Sequence, residues 1–308
     1  MRHTGEDTPI RFGFLVLDKP AGLSSHSCVS RVRRAYGLKR VGHGGTLDPA
    51  VTGVLPLALG PATRLLPYLP GGKAYRGVVQ LGVITSTDDL EGEVLQQSPV
   101  PAGLDQGQLE QALQAFRGAI EQVPPQISAV HVDGVRAYQR SRRGETVTLA
   151  PRPVQIEHLE LLGWDPLQGQ LELELRCSAG TYVRSLARDL GAALGCGGAL
   201  ASLRRTAALG FALDQAVPWQ ALDPEALAGG AALPPLLDPL LALGQWPQQA
   251  LSEPQLADWR CGRQLPADQA WPAEQSVVIT APNGALAGMA MATEAGTLQP
   301  KLVLDAAG

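Results

Sequence analysis

Residues 171–177 alternate strictly between apolar and charged side chains, in the order Leu-Glu-Leu-Glu-Leu-Arg-Cys. Successive side chains of a β-strand point to opposite faces of a sheet, so this stretch predicts a strand with one buried and one solvated face. One-sided burial is typical of antiparallel sheets, because parallel sheets are covered by helices on both faces. The chain is therefore predicted to contain a mainly antiparallel sheet.

Helical spacing of apolar residues predicts three helices. The first begins at Ser24 or Ser25 and ends at Gly37, since serine favours a helix start and glycine a helix end. The second covers residues 106–116 with Gly118 as its stop, and the third starts near Thr181. Their predicted buried faces are Cys28, Val32 and Tyr36; Leu109, Leu113 and Phe116; and Val183, Leu186, Leu190 and Ala193. Further strands are predicted over residues 14–17, 75–81, 154–162, 276–279, 285–292 and 301–304. Helices combined with antiparallel strands give an α+β class, with helices flanking a mixed, mainly antiparallel sheet.

Charge is divided unevenly along the chain. The formal net charge is −4, yet residues 211–308 hold three basic and ten acidic residues, which leaves 22 basic and 19 acidic residues in 1–210. Such a basic first part fits contact with RNA phosphates, although arginine runs also occur on faces that are merely solvated. The basic residues are bunched in two clusters: Arg31, Arg33, Arg34, Lys39 and Arg40; and Arg136, Arg140, Arg142 and Arg143.

The change of sign coincides with a stretch rich in Ala, Leu and Pro, residues 221–250, which is typical of a linker with a short helix. It predicts two domains, 1–245 and 246–308. The hydrophobic stretch 51–69 is interrupted by glycines and prolines, so no membrane span is expected.

The cysteines are far apart and the histidines scattered, so neither a disulfide framework nor a metal site is expected. Reduced thiols buried in a core suit a cytoplasmic protein. The four cysteines are Cys28, Cys177, Cys196 and Cys261.

The strongest chemical signal is the stretch 42–53, G-H-G-G-T-L-D-P-A-V-T-G. Its glycines permit unusual backbone dihedrals before Asp48, and Pro49 keeps Asp48 out of the helical region. Asp48 is thereby displayed on a shaped loop, where a carboxylate can act as a nucleophile or a base. From spacing alone, the same pattern also fits a simple Asp-Pro turn with glycine hinges.

This stretch resembles the catalytic motif of the bacterial tRNA pseudouridine-55 synthases, the TruB family. Other blocks similar to that family occur in family order across residues 14–211, and residues 246–308 more weakly resemble a small PUA-type RNA-binding β-barrel. Together these blocks are far more specific than any single match. The blocks are L-D-K-P-A-G-L-S-S (17–25), K-A-Y-R (73–76), L-G (81–82), T-S-T-D (85–88), P-P-Q-I-S-A (124–129), G-V-R-A-Y (134–138), G-T-Y-V-R-S-L (180–186) and L-R-R-T (203–206).

The resemblance implies an enzyme that converts a uridine in the TΨC arm of tRNA to pseudouridine. The N1–C1′ bond breaks, the uracil turns and rejoins through C5, and no cofactor is required. Asp48 matches the essential aspartate; attack on C1′, addition to C6 and removal of the C2′ proton are three open routes. The other roles implied are Arg184 as counter-cation, Tyr75 stacking on the flipped base, the hydroxyl of Tyr75 or of Tyr182 contacting the reacting region, Leu203 lining the pocket, His43 packing near the displaced nucleotide, and Lys19 and Pro20 supporting the loop.

Without the resemblance, each of these residues has an ordinary structural interpretation. Tyr75 and Leu203 would be core residues, His43 a polar loop residue, and Arg184 part of a solvated helix start. Two rival functions also follow from the sequence. One is a pseudouridine synthase that acts on ribosomal RNA; the other is a non-catalytic RNA chaperone or scaffold on the same fold. The tRNA T-arm is the expected partner, and the protein is expected to be a monomer.

Overall fold

A computed structural model describes residues 12–128, 131–132, 135–136 and 148–304. It confirms the α+β class, with a ten-stranded mixed sheet and a five-stranded C-terminal sheet. The α-helices are α1 (Ser25–Tyr36), α2 (Gln106–Gln114), α3 (Val183–Ala193), α4 (Pro224–Ala228), α5 (Pro239–Ala242) and α6 (Glu253–Arg260); 3-10 helices cover Gly60–Tyr68, Leu213–Gln215 and Trp219–Leu222. The strands are β1 (Gly13–Lys19), β2 (Val41–His43), β3 (Thr52–Leu59), β4 (Lys73–Leu81), β5 (Val83–Thr85), β6 (Val94–Gln97), β7 (Gly118–Gln122), β8 (His131–Val132), β9 (Val135–Arg136), β10 (Arg152–Asp165), β11 (Gln170–Cys177), β12 (Gly198–Ala208), β13 (Phe211–Ala212), β14 (Val217–Pro218), β15 (Gln248–Ala250), β16 (Leu265–Pro266), β17 (Ser276–Thr280), β18 (Leu286–Ala292) and β19 (Thr297–Val303).

The large sheet has the strand order β14-β1-β3-β12-β4-β11-β10-β7, with β2 added to β3 and β13 to β12. Its pairings are antiparallel except β1 with β14 and β3 with β12. The alternating strand β11 lies between β4 and β10, and its apolar side chains from Leu171 to Cys177 are buried as predicted. Helices α1, α2 and α3 cover this buried face and form the main core with it.

Strands β3 and β12 lie at the centre of the sheet, and the sequence did not predict them. Strand β3 is buried almost throughout, so it has no polar face to alternate with its apolar one. It also contains Gly53 and Pro56, residues that normally argue against a central strand. At Gly53 the backbone has φ +100°, and a Cβ atom there would lie 2.2 Å from the carbonyl oxygen of Arg205. Gly53 therefore permits the close approach of β3 and β12.

Substitution Gly53→Ala is expected to destabilise the protein by about 3 kcal/mol, from backbone strain and overpacking combined. Gly103→Ala is a matched control, because Gly103 has φ +78° with nothing within 4 Å of the added methyl group. Backbone strain alone is expected to cost that control about 1 kcal/mol. Chemical denaturation of both variants measures the difference, and equal losses would contradict the importance of the close contact.

The helices agree with the predictions in position but not in every detail. Helix α1 has Ser24 as its cap and Gly37 in the left-handed region, and its predicted stripe is buried. Helix α2 stops at Gln114 instead of Phe116, and Gly118 opens strand β7. Ala193 of α3 is exposed, which corrects its predicted burial.

The reason for the correction at Ala193 is the way the end of α3 packs. Its contact with the sheet passes through Gly191, where an added Cβ would lie 2.1 Å from the backbone nitrogen of Gly198. Ala193 lies on the other side of this last turn. Glycines on both partners thus bring helix and strand together at this point.

Three of the four cysteines are buried, as expected, but Cys261 is exposed where it caps the end of α6. The predicted linker holds two short helices, α4 and α5, instead of one. Between them, Leu237 exchanges two backbone hydrogen bonds with Phe14 of β1, of 3.0 and 2.7 Å. The stretch is thus attached to the large sheet.

The C-terminal sheet has the order β15-β17-β18-β19-β16. Its two outer strands are linked by the buried side chain of Gln249, which donates to the carbonyl of Pro266 at 3.1 Å and accepts from the N–H of Asp268 at 3.0 Å. This half-closed barrel agrees with the predicted PUA-like domain, although β19 begins at Thr297, earlier than predicted.

A second apolar cluster joins the two sheets. It combines Phe14 and Val16 of β1 with Met289 and Leu302 of the C-terminal sheet, all fully or almost fully buried. A third cluster, centred on Trp259, lies within the C-terminal part. The predicted boundary between residues 245 and 246 thus separates the two sheets but not their cores, and remains a prediction.

The first basic cluster is only partly available to a partner. Arg31 stacks 4.4 Å from the ring centre of Trp219 and donates to the carbonyl of Leu222, whereas Arg34, Lys39 and Arg40 are exposed. In the second cluster, Arg136 is described in its backbone alone. The other residues for which the sequence made predictions in this segment lie outside the described ranges: Arg140, Arg142, Arg143, Ala129, Gly134 and residues 137–138.

No helix within the described ranges is long and apolar enough to cross a membrane. Those ranges also contain no group of three or more His, Cys, Asp or Glu side chains arranged to hold a metal ion.

Candidate active site

The loop that carries Asp48 connects β2 to β3 and is tied to its surroundings before and after the aspartate. Gly44 donates its N–H to the carbonyl of Pro56 at 2.9 Å. Leu47 is bonded twice to the hydroxyl of Ser25 at the start of α1, by its N–H at 2.8 Å and its carbonyl at 3.0 Å. Because its neighbour is fixed in this way, Asp48 has a defined position at the protein surface.

Lys19, at the end of β1, supports the loop from below. Its fully buried ammonium donates to three carbonyls, those of Pro20 (2.8 Å), Leu23 (2.7 Å) and Pro49 (3.0 Å). Burial lowers the pKa of this lysine, and Asp48 is among the groups that oppose the change. This geometry fits the supporting role implied for Lys19 and Pro20.

Asp48 and Arg184 form a salt bridge of 2.9 Å between Oδ2 and Nη2. The arginine side chain is 9% exposed and that of Asp48 46%, so one partner is fixed while the other faces the solvent. Arg184 also donates to the carbonyls of Thr87 and Ile127, both at 3.0 Å. The expected pair is therefore present, and Arg184 does not belong to a solvated turn.

Tyr75 lies on the buried face of β4, between Leu175 of β11 and Arg205 of β12. Burial raises the pKa of its hydroxyl, and the neighbouring Arg205 guanidinium opposes the shift. The phenol is accordingly neutral at physiological pH. Leu203, half-buried on β12, lies opposite Gly77 of β4, where an added Cβ would be 2.9 Å from its Cδ1. Leu203 therefore needs the space that Gly77 leaves.

Tyr182 precedes the first residue of α3. Its backbone N–H donates to the side-chain oxygen of Gln122 at 2.8 Å, and its carbonyl accepts from the side-chain nitrogen at 3.1 Å. This double contact fixes the start of the helix that carries Arg184. Burial raises the pKa of the Tyr182 hydroxyl.

His43 ends strand β2, and its Nδ1 accepts a hydrogen bond of 3.3 Å from the N–H of Gly45. Burial, with Arg205 nearby, lowers the pKa of His43, so the ring is neutral at physiological pH. The structure thus gives His43 a contact within its own loop, whereas its implied role beside a displaced nucleotide stays a prediction.

Arg205 lies in the L-R-R-T block, but the sequence predicted no role for it. This arginine is completely buried and donates to the carbonyls of Val54 (2.7 Å), Gly45 (3.1 Å) and Thr46 (3.4 Å), which holds the loop of Asp48 against the sheet. Asp89, 3.7 Å from Nε of Arg184, was missed as well. The available signal for Arg205 was its place two residues after Leu203 on one face of a strand.

The arrangement is a solvent-accessible carboxylate beside a fixed guanidinium, with a buried neutral tyrosine nearby. Such a carboxylate can attack an electrophilic carbon or remove a proton.

Comparison with known proteins places this arrangement in a family. A family model described as "TruB family pseudouridylate synthase (N terminal domain)" matches residues 33–183, and one described as "tRNA pseudouridylate synthase B C-terminal domain" matches residues 184–241. The chain belongs to the TruB family. Its resemblance through the sequence blocks is thereby confirmed.

Relatives of this TruB chain match over almost their whole length. A protein of Parasynechococcus marenigrum (strain WH8102) named tRNA pseudouridine synthase B is 65% identical over 96% of this chain and 99% of the relative. A protein of the same name from Synechococcus sp. (strain WH7803) is 58% identical over 96% of this chain and 98% of the relative.

Solved structures share the fold. A chain of an H/ACA RNP bound to a substrate RNA containing 2′-deoxyuridine has a TM-score of 0.70 at 24% identity, covering 96% of this TruB chain and 85% of its own length. A chain of the archaeal box H/ACA sRNP Nop10-Cbf5 complex has a TM-score of 0.68 at 25% identity, covering 96% and 86%.

Proposed function

We propose that this TruB protein isomerises uridine to pseudouridine in tRNA, with Asp48 as the catalytic carboxylate. The observation that carries the proposal is the 2.9 Å pair of Asp48 and Arg184, in which the carboxylate remains open to solvent. The relatives named tRNA pseudouridine synthase B support the same reaction and substrate.

The reaction needs the carboxylate to be oriented toward the ribose or the base. Arg184 supplies that orientation, because its guanidinium is itself held by the carbonyls of Thr87 and Ile127. Positioning of this kind lowers the barrier by removing motions that a free carboxylate would have to lose. Attack on C1′, addition to C6 and removal of the C2′ proton are all open to a carboxylate in this position.

A uridine stacked in a folded tRNA arm must be flipped out before Asp48 can reach it, at a cost of a few kcal/mol. In the proposal, Tyr75 stacks on the flipped base and Leu203 forms the adjacent apolar wall. Both lie on neighbouring strands beside the catalytic loop, and Tyr75 is within electrostatic reach of Asp48. Tyr182 holds the helix start through Gln122, and its hydroxyl or that of Tyr75 contacts the reacting region in this proposal.

The finer assignment is uridine 55 in the T-arm, modified by a monomer without a protein partner. The choice of uridine 55 is supported by the order of the sequence blocks, and contact with RNA by the excess of basic residues in 1–210. The exposed basic residues of α1 and of the loop after it provide surface for RNA phosphates.

Incubation with an unmodified tRNA transcript and with an isolated T-arm stem-loop, followed by pseudouridine mapping, tests the assignment. Modification at position 55 of both substrates is expected, and a transcript with cytidine at that position is the negative control. Modification of ribosomal RNA alone, or of an anticodon-arm uridine, would rule the assignment out.

A further inference from the structure

Lys73 lies beside the proposed active site without a role in it so far. It is the first residue of β4, paired with Cys177 and Ala208, and its side chain is half-buried. Lys73 and Tyr75 are two residues apart on one strand and therefore share its face. Lys73 is thus the next residue on that face of β4 beside Tyr75, the side chain proposed to stack on the flipped base.

The side chain of Lys73 extends toward the catalytic loop. Its Cε and Nζ lie 3.7 Å from the place where a Cβ on Gly45 would be, and Nη1 of Arg205 lies 3.7 Å from the same point. Two cationic groups therefore flank Gly45, three residues before Asp48.

Neither of these cations has a carboxylate partner in the described part of the chain. Arg205 donates to carbonyls, and Lys73 makes neither a salt bridge nor a hydrogen bond there. Lys19, by contrast, uses all three of its donors on carbonyls. Burial and the neighbouring Arg205 lower the pKa of Lys73, so its positive charge is held in an unfavourable place.

Asp48 does not neutralise the positive charge of Lys73 and Arg205, since its carboxylate is already paired with Arg184. A half-buried ammonium with three unused donors is instead suited to an anion supplied by the substrate. In an RNA the available anion is the backbone phosphate, and phosphate contacts fix the register of a nucleic acid on a protein.

We propose that Lys73 binds a backbone phosphate directly next to the reacting uridine. The assignment rests on the proposed RNA substrate and adds the contact that positions the flipped nucleotide. Residues two apart on one strand are separated by roughly 6.6 Å, so a base stacked on Tyr75 would place one of its flanking phosphates within reach of the Lys73 ammonium. Arg205, which is completely buried, adds to the local positive potential without touching RNA.

The test combines a variant that removes the charge of Lys73 with an RNA in which one backbone phosphate is replaced by an uncharged linkage. Binding of T-arm stem-loops is measured for the full-length wild type and for Lys73→Gln, with an ordinary phosphate or an uncharged methylphosphonate at either linkage flanking the target uridine. All stem-loops carry 2′-methoxy groups at the sugars before both linkages, which prevents attack of a 2′-hydroxyl on the neutral linkage, so the stem-loops differ only at the one substituted linkage. Lys39→Gln is the control, since Lys39 is an exposed lysine of the α1 region.

On the ordinary stem-loop, Lys73→Gln is expected to weaken binding about tenfold and to lower the salt dependence by about one ion. On one of the two methylphosphonate stem-loops, the wild type and Lys73→Gln are expected to bind equally. Lys39→Gln should respond in the same way to all of the stem-loops.

Two results would overturn the proposal. An equal loss by Lys73→Gln on every stem-loop would mean that Lys73 supports the loop, and an unchanged affinity would mean no contact. Lys73→Arg, which keeps the charge, should bind within a few-fold of the wild type. The melting temperature of Lys73→Gln separates a folding defect from a lost contact. A wild type that binds no T-arm stem-loop at all would instead count against the proposed function.

Discussion

Asp48→Asn is expected to abolish pseudouridine formation, by more than about 10⁴-fold, while the protein folds normally. An amide is neither a nucleophile nor a base, so each of the three open routes is lost. The fold should persist because Asp48 is half-exposed and its amide oxygen can still accept from Arg184, which keeps the carbonyls of Thr87 and Ile127. Pseudouridine mapping and thermal melting measure the two effects.

Asp89→Asn is the matched control for that variant, since Asp89 faces the same arginine from 3.7 Å. It should keep activity within about tenfold of the wild type, because loss of a more distant charge costs little. Turnover by Asp48→Asn near the wild-type rate would remove Asp48 from the reaction. Comparing tRNA folding in the presence of Asp48→Asn and of the wild type also separates a chaperone contribution from catalysis.

Arg184→Lys is expected to lower kcat by about 10² to 10³ with little change in KM, a loss comparable with that of one oriented donor in an active site. Lysine keeps the positive charge but has no planar fork, so it cannot contact Asp48, Thr87 and Ile127 together. The carboxylate would then lose its orientation. Single-turnover kinetics on a T-arm stem-loop measure the change.

Arg188→Lys controls for the general effect of such a change in α3. Arg188 lies one turn further on and bonds Asp88 at 3.0 Å, Asp189 at 2.8 Å and the carbonyl of Val123 at 2.9 Å, away from Asp48. Its replacement should lower stability to a similar degree and leave kcat almost unchanged. Equal losses of activity in both variants would show that Arg184 acts through folding alone.

Local sequence signals predicted the elements whose pattern is carried by their own residues. Alternation in β11 and the capped stripe of α1 are of this kind, since one buried face is enough to reveal each of them. Strands β3 and β12 escaped prediction because both faces of β3 are covered and because Gly53 and Pro56 look like breaks. Their assignment depends on which neighbours the sheet provides.

The candidate site divides in a similar way. The family blocks predicted Asp48 and Tyr75 as site residues. The glycines and Pro49 also predicted that Asp48 lies on a shaped loop. The sequence did not predict roles for Arg205 and Lys73. The role of a buried cation depends on which groups surround it, such as backbone carbonyls or carboxylates, and the sequence does not show those neighbours. Those neighbours, such as Gly45 and Val54, are about 150 or more residues away from Arg205 in the chain.

The apolar cluster shared by Phe14, Val16, Met289 and Leu302 makes the two ends of the chain mutually dependent. Cutting the chain at residue 245 would expose the apolar side chains of strand β1. A truncated protein would therefore aggregate, and its measured RNA affinity would reflect that aggregation. The contribution of the C-terminal barrel is therefore better probed by single surface changes, such as Lys301→Gln, in an otherwise intact chain. A chimera that exchanges the barrel with that of a distant relative would also need to exchange its partner residues on β1.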